Sequence, residues 1–257
     1  MKLSSLLEGM VLLGLHISSS TQSPTNTAIR SPVYPTRKIA NVTVIDTPLV
    51  RTALEFARNH SSEFVYKHIV RSWLFGTLMI ANNATLRESV DLEVHAIAAI
   101  LHDLGWDQTP GSPFVSHDRR FEVDGAIAAR QFLHDHAHNG KDWDDRRVQL
   151  VWDSIALHTQ QSIFTFKELD VMVTGSGIFM DFVGPQHGVM AEEYQTVVKE
   201  FPKDDLTSGV NQTFVWLCQS KPATTYDTFM QPWGDEFVAN YSAKGSRVID
   251  ILIGDQP

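Results

Sequence analysis

Between Asp91 and Leu104 the residues Val94, Ile97, Ala98, Leu101 and Leu104 recur at three- and four-residue steps, the spacing of one face of an α-helix. This very apolar run ends in His102-Asp103-Leu104-Gly105, with Gly105 placed as a C-terminal stop. A carboxylate in such surroundings is costly to bury unless it is paired or ligates a metal ion. Adjacent side chains on a helix point about 100° apart, so His102 and Asp103 reach one ion only at their shared edge, a geometry available near a helix terminus. Two further His-Asp pairs serve as internal comparisons. His117-Asp118 is flanked by Ser116, Arg119 and Arg120, and His134-Asp135 opens the polar run HDHAHNGKD, which reads as a solvated loop. Only His102-Asp103 has apolar neighbours.

The same periodicity predicts helices over roughly Glu63 to Met79, Val123 to Leu133 and Asp145 to His158, and around Ile178 to Val183. Alternating strand signals are weak throughout, so the expected class is all-α, antiparallel helices packed around one core. The 257 residues suffice for one large domain, expected over residues 48–250. Residues 21–47 are rich in Ser, Thr and Pro and read as an extended leader. Residues 1–20 read as a secretory signal peptide. Lys2 supplies the positive start, Gly9 to Ile17 a short apolar stretch, and Ser18, Ser19 and Ser20 small residues for cleavage. That stretch is too short to span a bilayer.

Asn41, Asn59, Asn83, Asn211 and Asn240 stand in Asn-x-Ser/Thr sequons, where the Ser and Thr content would place about one by chance. The expectation is a glycoprotein, secreted or in the secretory pathway, with the cytoplasm as the alternative if residues 1–20 form an amphipathic arm. A net charge of -9 without a basic stripe gives no electrostatic footprint for nucleic acid or an anionic membrane. A small-molecule substrate and a homo-oligomer both remain compatible with it. The single cysteine, Cys218, makes neither an internal disulfide nor a thiolate zinc cluster, so a metal must rely on His, Asp and Glu.

His68 lies on its own apolar helix, with Arg71 one turn later on the same side. Downstream, Asp181 is set between Met180 and Phe182, again a carboxylate in apolar context. His68, His102, Asp103 and Asp181 therefore form a candidate metal set on three helices. Asp170 is the rival for the last position, disfavoured because Lys167 and Glu168 before it suggest a polar connection. Arg71 is a candidate to clamp Asp103 or a substrate, and Glu122 and Asp124 are candidates to line a cavity. His95 reads as a core histidine, and the tryptophans as core and pocket wall. Gly175 and Gly177 make no nucleotide loop, because no strand precedes them. Imidazole and carboxylate ligands suit a divalent transition ion, zinc first and iron second.

The order H…HD…D resembles the HD-domain superfamily of metal-dependent enzymes. More narrowly, HIVRSWLFG, LHDLGW, RFEVDGAIAAR, DSIALHT, GIFMDFVGP and KPATTYD resemble the fungal cyanamide hydratase-like branch, over about residues 48–245. The resemblance implies an all-helical HD domain, a hydro-lyase or hydrolase converting a small nitrile- or amide-like molecule (cyanamide to urea), metal ligation by His68, His102, Asp103 and Asp181, and His158 as a catalytic site residue. The metal would acidify a water for attack on an electrophilic carbon, and His158 would shuttle a proton or help bind substrate. Two alternatives belong to other classes. A phosphohydrolase would draw on Lys67, Arg71, Arg119 and Arg120 to hold phosphate. The other is a secreted, glycosylated binding protein on a degenerate HD scaffold, against which the presence of all the candidate ligands argues.

Overall fold

Short polar side chains set the helix starts. Thr47 Oγ1 accepts from the Val50 amide and Pro48 opens α1 (Pro48–Asn59), where its missing amide hydrogen costs nothing. Asp91 accepts from the Glu93 and Val94 amides at the start of α4 (Leu92–Leu101), and Asp144 caps α6 (Asp145–Leu157) through the Arg147 amide. Arg147 in turn reaches back to Asp91 (2.8 Å) and Glu93 (3.1 Å), which ties these two helix starts together. Between and beyond them lie α2 (Glu63–Ala81), α3 (Ala84–Ser89), α5 (Phe121–His136), α7 (Gln161–Phe164), α8 (Leu169–Val183), α9 (Ala191–Glu200), α10 (Leu206–Ser220), α11 (Gln231–Phe237) and α12 (Val248–Ile253). The computed structural model describes residues 34–137 and 143–254. The expected signal peptide and the first part of the leader lie outside them.

The mostly helical expectation holds, with two corrections. Residues 36–45, expected to be part of a structureless leader, form an antiparallel hairpin of β1 (Thr36–Ile39) and β2 (Val42–Ile45), with Thr36 opposite Ile45 and Ile39 opposite Val42. Ala40 and Asn41 both adopt positive φ (46° and 62°), the backbone of a two-residue turn that matches strand twist. Val42, Val44 and Ile45 are buried against the helices, so the hairpin belongs to the domain. The run expected as a solvated loop is also partly helical: His134, Asp135 and His136 form the last turn of α5.

Helix α2 is the axis of the fold. It is buried nearly all round from His68 to Ile80 and packs most extensively on α8. Glycines permit the approach. A Cβ on Gly177 of α8 would stand 2.7 Å from the Ser72 carbonyl oxygen and 2.9 Å from the Gly76 nitrogen of α2. Gly175 and Gly177 thus serve helix packing and line no phosphate loop, as expected. Helix α4 lies among α1, α2, α6 and α8, and α5 packs on α6. This arrangement brings the end of α4, the second turn of α2 and the end of α6 to one place. All five sequon asparagines are exposed. Among the described residues no helix is long and apolar enough to cross a membrane.

Candidate metal centre

Helix α4 ends at Leu101, one turn earlier than the periodicity suggests, and His102 is its C-cap. Leu104–Trp106 then form a 3-10 turn. The tighter turn rotates Asp103 toward the His102 ring, so both adjacent side chains reach one point. Gly105 is required here, because a Cβ would stand 2.2 Å from the Phe121 carbonyl oxygen.

Three imidazoles converge on Asp103, each held from behind. His68 Nδ1–H donates to Asp181 Oδ2 (2.7 Å), His102 Nδ1–H to the Ala99 carbonyl (2.8 Å) and His158 Nδ1–H to the Ile155 carbonyl (2.7 Å). These partners only accept, so Nδ1 carries the hydrogen in each ring and Nε2 is left as the ligating atom. The three Nε2 atoms lie 3.6, 3.0 and 3.9 Å from the nearer Asp103 oxygen, and the Nε2 atoms of His68 and His102 are 3.2 Å apart. All four residues are buried.

The two oxygens of Asp103 have no hydrogen-bond donor in bonding geometry, although they are wholly buried. An unsatisfied buried carboxylate is expensive, and facing lone pairs on two imidazoles add repulsion. Both features are resolved by a cation between these atoms. His68, His102 and Asp103 each offer one ligand atom, all within 4.8 Å of one another, and this buried group can hold a metal ion. The same lone pairs and carboxylate attract positive charge of any kind, a proton included. Burial alone would lower the pKa of His102, but the Asp103 carboxylate outweighs it and raises the value. Burial would raise Asp103, and a proton drawn to His102 beside it lowers it instead. His158 is pushed down to about 4, first by burial and then by the charge of His102, so it is neutral at pH 7.

Asp181 departs from the expected ligand role. It lies behind His68, outside the three-residue group, with both oxygens engaged. Arg71 grips it through Nε (2.8 Å) and Nη2 (2.8 Å), and Lys203 approaches Oδ1 at 3.3 Å. Burial would raise its pKa, yet the hydrogen bonds from His68 and Arg71 hold it well below the usual carboxylate range. A carboxylate accepting from the far nitrogen of a histidine fixes the ring's tautomer and aim. Arg71 is corrected in the same way. It touches neither Asp103 nor the cavity, and its remaining nitrogen, Nη1, donates to the Phe201 and Pro202 carbonyls. Asp170, the rival, accepts from the Asp91 amide (2.8 Å) and joins α8 to α4 away from the centre.

The centre opens on a cavity of about 480 Å³ lined at its inner end by His68, Asp103, Phe121 and His158. Glu122 does not line it. It is buried beneath Thr159, whose Oγ1 donates to it (2.6 Å), and it pairs with Arg120. Asp124 is likewise taken by Lys221 (2.7 Å) and Arg119 (2.9 Å). Lys67 faces Glu63. None of the four cations considered for phosphate lines the cavity. His95 is the expected core histidine, its Nε2–H donating to the Trp73 carbonyl (3.2 Å) and its Nδ1 accepting from Thr174 (3.0 Å).

Sequence reasoning missed the far wall, built by Thr207, Val210, Asn211 and Phe214 of α10 and by Phe229 and Trp233. The signal was present. Val210, Phe214, Leu217 and Cys218 recur at helical spacing and are all buried. Neither a protein-family model nor any curated protein matches the chain, so the site rests on its own geometry.

Proposed function

We propose that the chain is a metal-dependent hydratase or hydrolase of the HD-domain type, acting on a nitrile- or amide-like carbon. One observation carries this reading: three imidazole Nε2 atoms converge on a buried carboxylate that has no hydrogen-bond donor, beside a cavity. His68, His102 and Asp103 would hold a divalent ion, zinc first and iron(II) second. Such an ion acts as a Lewis acid and lowers the pKa of water toward about 7.

The chain's own residues supply the rest. Asp181, gripped by Arg71, keeps hydrogen on His68 Nδ1 and aims Nε2 inward. His158 is neutral and presents Nε2 on the cavity side of Asp103, placed to take a proton from water. In a nitrile addition the water oxygen bonds to carbon and a carbon–nitrogen π pair moves to nitrogen. The proton held at His158 Nε2 is then delivered to that nitrogen. That step leaves an imidic acid, whose O–H proton passes to nitrogen to give the amide, isourea to urea in the case of cyanamide, and no oxidant or reductant is needed. Phe121 and Trp106 keep bulk water from the inner end, which strengthens charge interactions there. A phosphate ester would need cations in the lining, and Asp103 is the one fully charged side chain among the described residues there.

Elemental analysis of purified protein is expected to find about one tightly bound transition ion per chain. His102→Ala is expected to lose both the metal and the release of urea or amide from cyanamide and small nitriles. Phosphate release by the same preparation should stay at background. A native preparation without metal, or full turnover by metal-free His102→Ala, refutes the reading.

A further inference from the structure

The proposed chemistry needs only a small electrophile, but the cavity is built for something larger. A molecule of cyanamide's size takes about 60 Å³, the share of about two waters. The cavity measures about 480 Å³, in the range that encloses drug-sized ligands. Its depth has a direction. The inner end is buried at His68, Asp103 and His158, whereas Gln161, Thr207 and Asn211 are exposed and mark the mouth.

An aromatic wall joins the two ends. Phe121 meets His158 with ring centroids 5.6 Å apart, and Trp106 meets Phe121 at 5.4 Å. Phe214 follows Trp106 at 5.6 Å, and Trp233 follows Phe214 at 4.9 Å, both edge-to-face. These are the separations at which aromatic pairs attract. Left to water, this wall would keep a large apolar surface wet, and only an apolar occupant removes that cost. No Lys or Arg among the described residues lines the cavity, so an anionic occupant would have no counter-charge in its body.

We propose that the molecule taken by this site is an uncharged aromatic compound of bicyclic size. Its nitrile or amide points to the His68–Asp103–His158 end, its rings lie against Trp106 and Phe214, and any polar substituent projects between Thr207 and Asn211. This rests on the reading above for the reacting group, while the shape and polarity of the cavity carry the ring system independently.

Calorimetric titration of the zinc-loaded full chain with naphthonitrile, acetonitrile and a carboxylated naphthonitrile tests it, with hydration of each nitrile followed in parallel. Naphthonitrile should bind at least about 100-fold tighter than acetonitrile, and the added carboxylate should weaken it at least about tenfold. Val210→Phe, which fills the cavity, should cost naphthonitrile at least about tenfold without changing bound zinc. Thr207→Trp, at the exposed mouth, should do the same and covers the case in which Val210→Phe does not fold. Tight binding without hydration supports the aromatic class and removes the hydratase reading. Hydration of cyanamide or acetonitrile with no preference for naphthonitrile keeps that reading and overturns the proposal. Binding of naphthonitrile that ignores both variants also overturns it.

Discussion

His95 and His102 lie two turns apart along α4 and are equally buried, yet their partners drive them in opposite directions. His102 faces a carboxylate and gains affinity for positive charge. His95 fills the notch left by Gly76, where a Cβ would stand 2.2 Å from its ring, and its partners are a carbonyl and a hydroxyl. Burial pushes it from 6.5 down to about 4, against the small upward pull of the Trp73 carbonyl. Above pH 6.5 the ring is neutral folded and unfolded, so its full contribution is present. As pH falls from 6.5 toward 4 the unfolded chain takes up a proton that the folded chain refuses, and stability is lost. The loss amounts to about 3 kcal/mol by pH 4. His95→Gln keeps a donor for Trp73 and removes the titration. Denaturant unfolding of metal-free protein at pH 7 and pH 4 is expected to show about that much less acid loss in the variant. Parallel losses would show that the ring is protonated in the folded state.

At the scale of elements, the contact of α2 with α8 decides what Asp181 does. The two helices approach until Gly177 lies against the Ser72 carbonyl and Gly76, and this sets the 2.7 Å distance from His68 to Asp181. Gly177→Ala must part the helices by tenths of an ångström. The expected cost is about 1–3 kcal/mol in denaturant unfolding, together with weaker metal binding in a chelator competition as Asp181 draws away from His68. Unchanged stability would mean that the two backbones are not in contact at Gly177.

This contact also explains which parts of the fold and site were legible in the sequence. Helix α4 and the inner part of α2 are apolar at helical spacing, and the His102-Asp103 pair stands out against that background. Whether Asp181 ligates a metal or supports a ligand depends on which nitrogen of His68 faces it, a choice made by tertiary placement that no spacing encodes. The hairpin escaped because four-residue strands are too short to assert alternation within a Pro- and Ser-rich stretch. Helices α9 to α12 escaped for another reason. The wall that α10 and α11 help build contributes bulk and shape with no reactive group to draw notice.

For the molecule as a whole, the centre is a junction. His68 comes from the second turn of α2, and His102 and Asp103 come from the end of α4; His158, at the end of α6, faces the same carboxylate. An ion held there binds only when these elements are docked, so its binding free energy adds to folding stability. At a free ion concentration about 100 to 1,000 times Kd, the gain is about 3–4 kcal/mol. For a chain of this size that corresponds to a melting temperature higher by about 5–15 °C. Melting curves of purified protein, of protein stripped with a chelator, and of stripped protein given zinc again should therefore fall into two groups, with the first and third together. His102→Ala should melt at one temperature whatever its metal content, because the shared point of attachment is gone. His95→Gln, two turns away on the same helix, should keep the full difference, since it touches none of the ligating atoms. Should zinc leave the melting temperature of the stripped wild-type chain where it was, the converged histidines would have to be held by a proton shared with Asp103, and the centre would be structural.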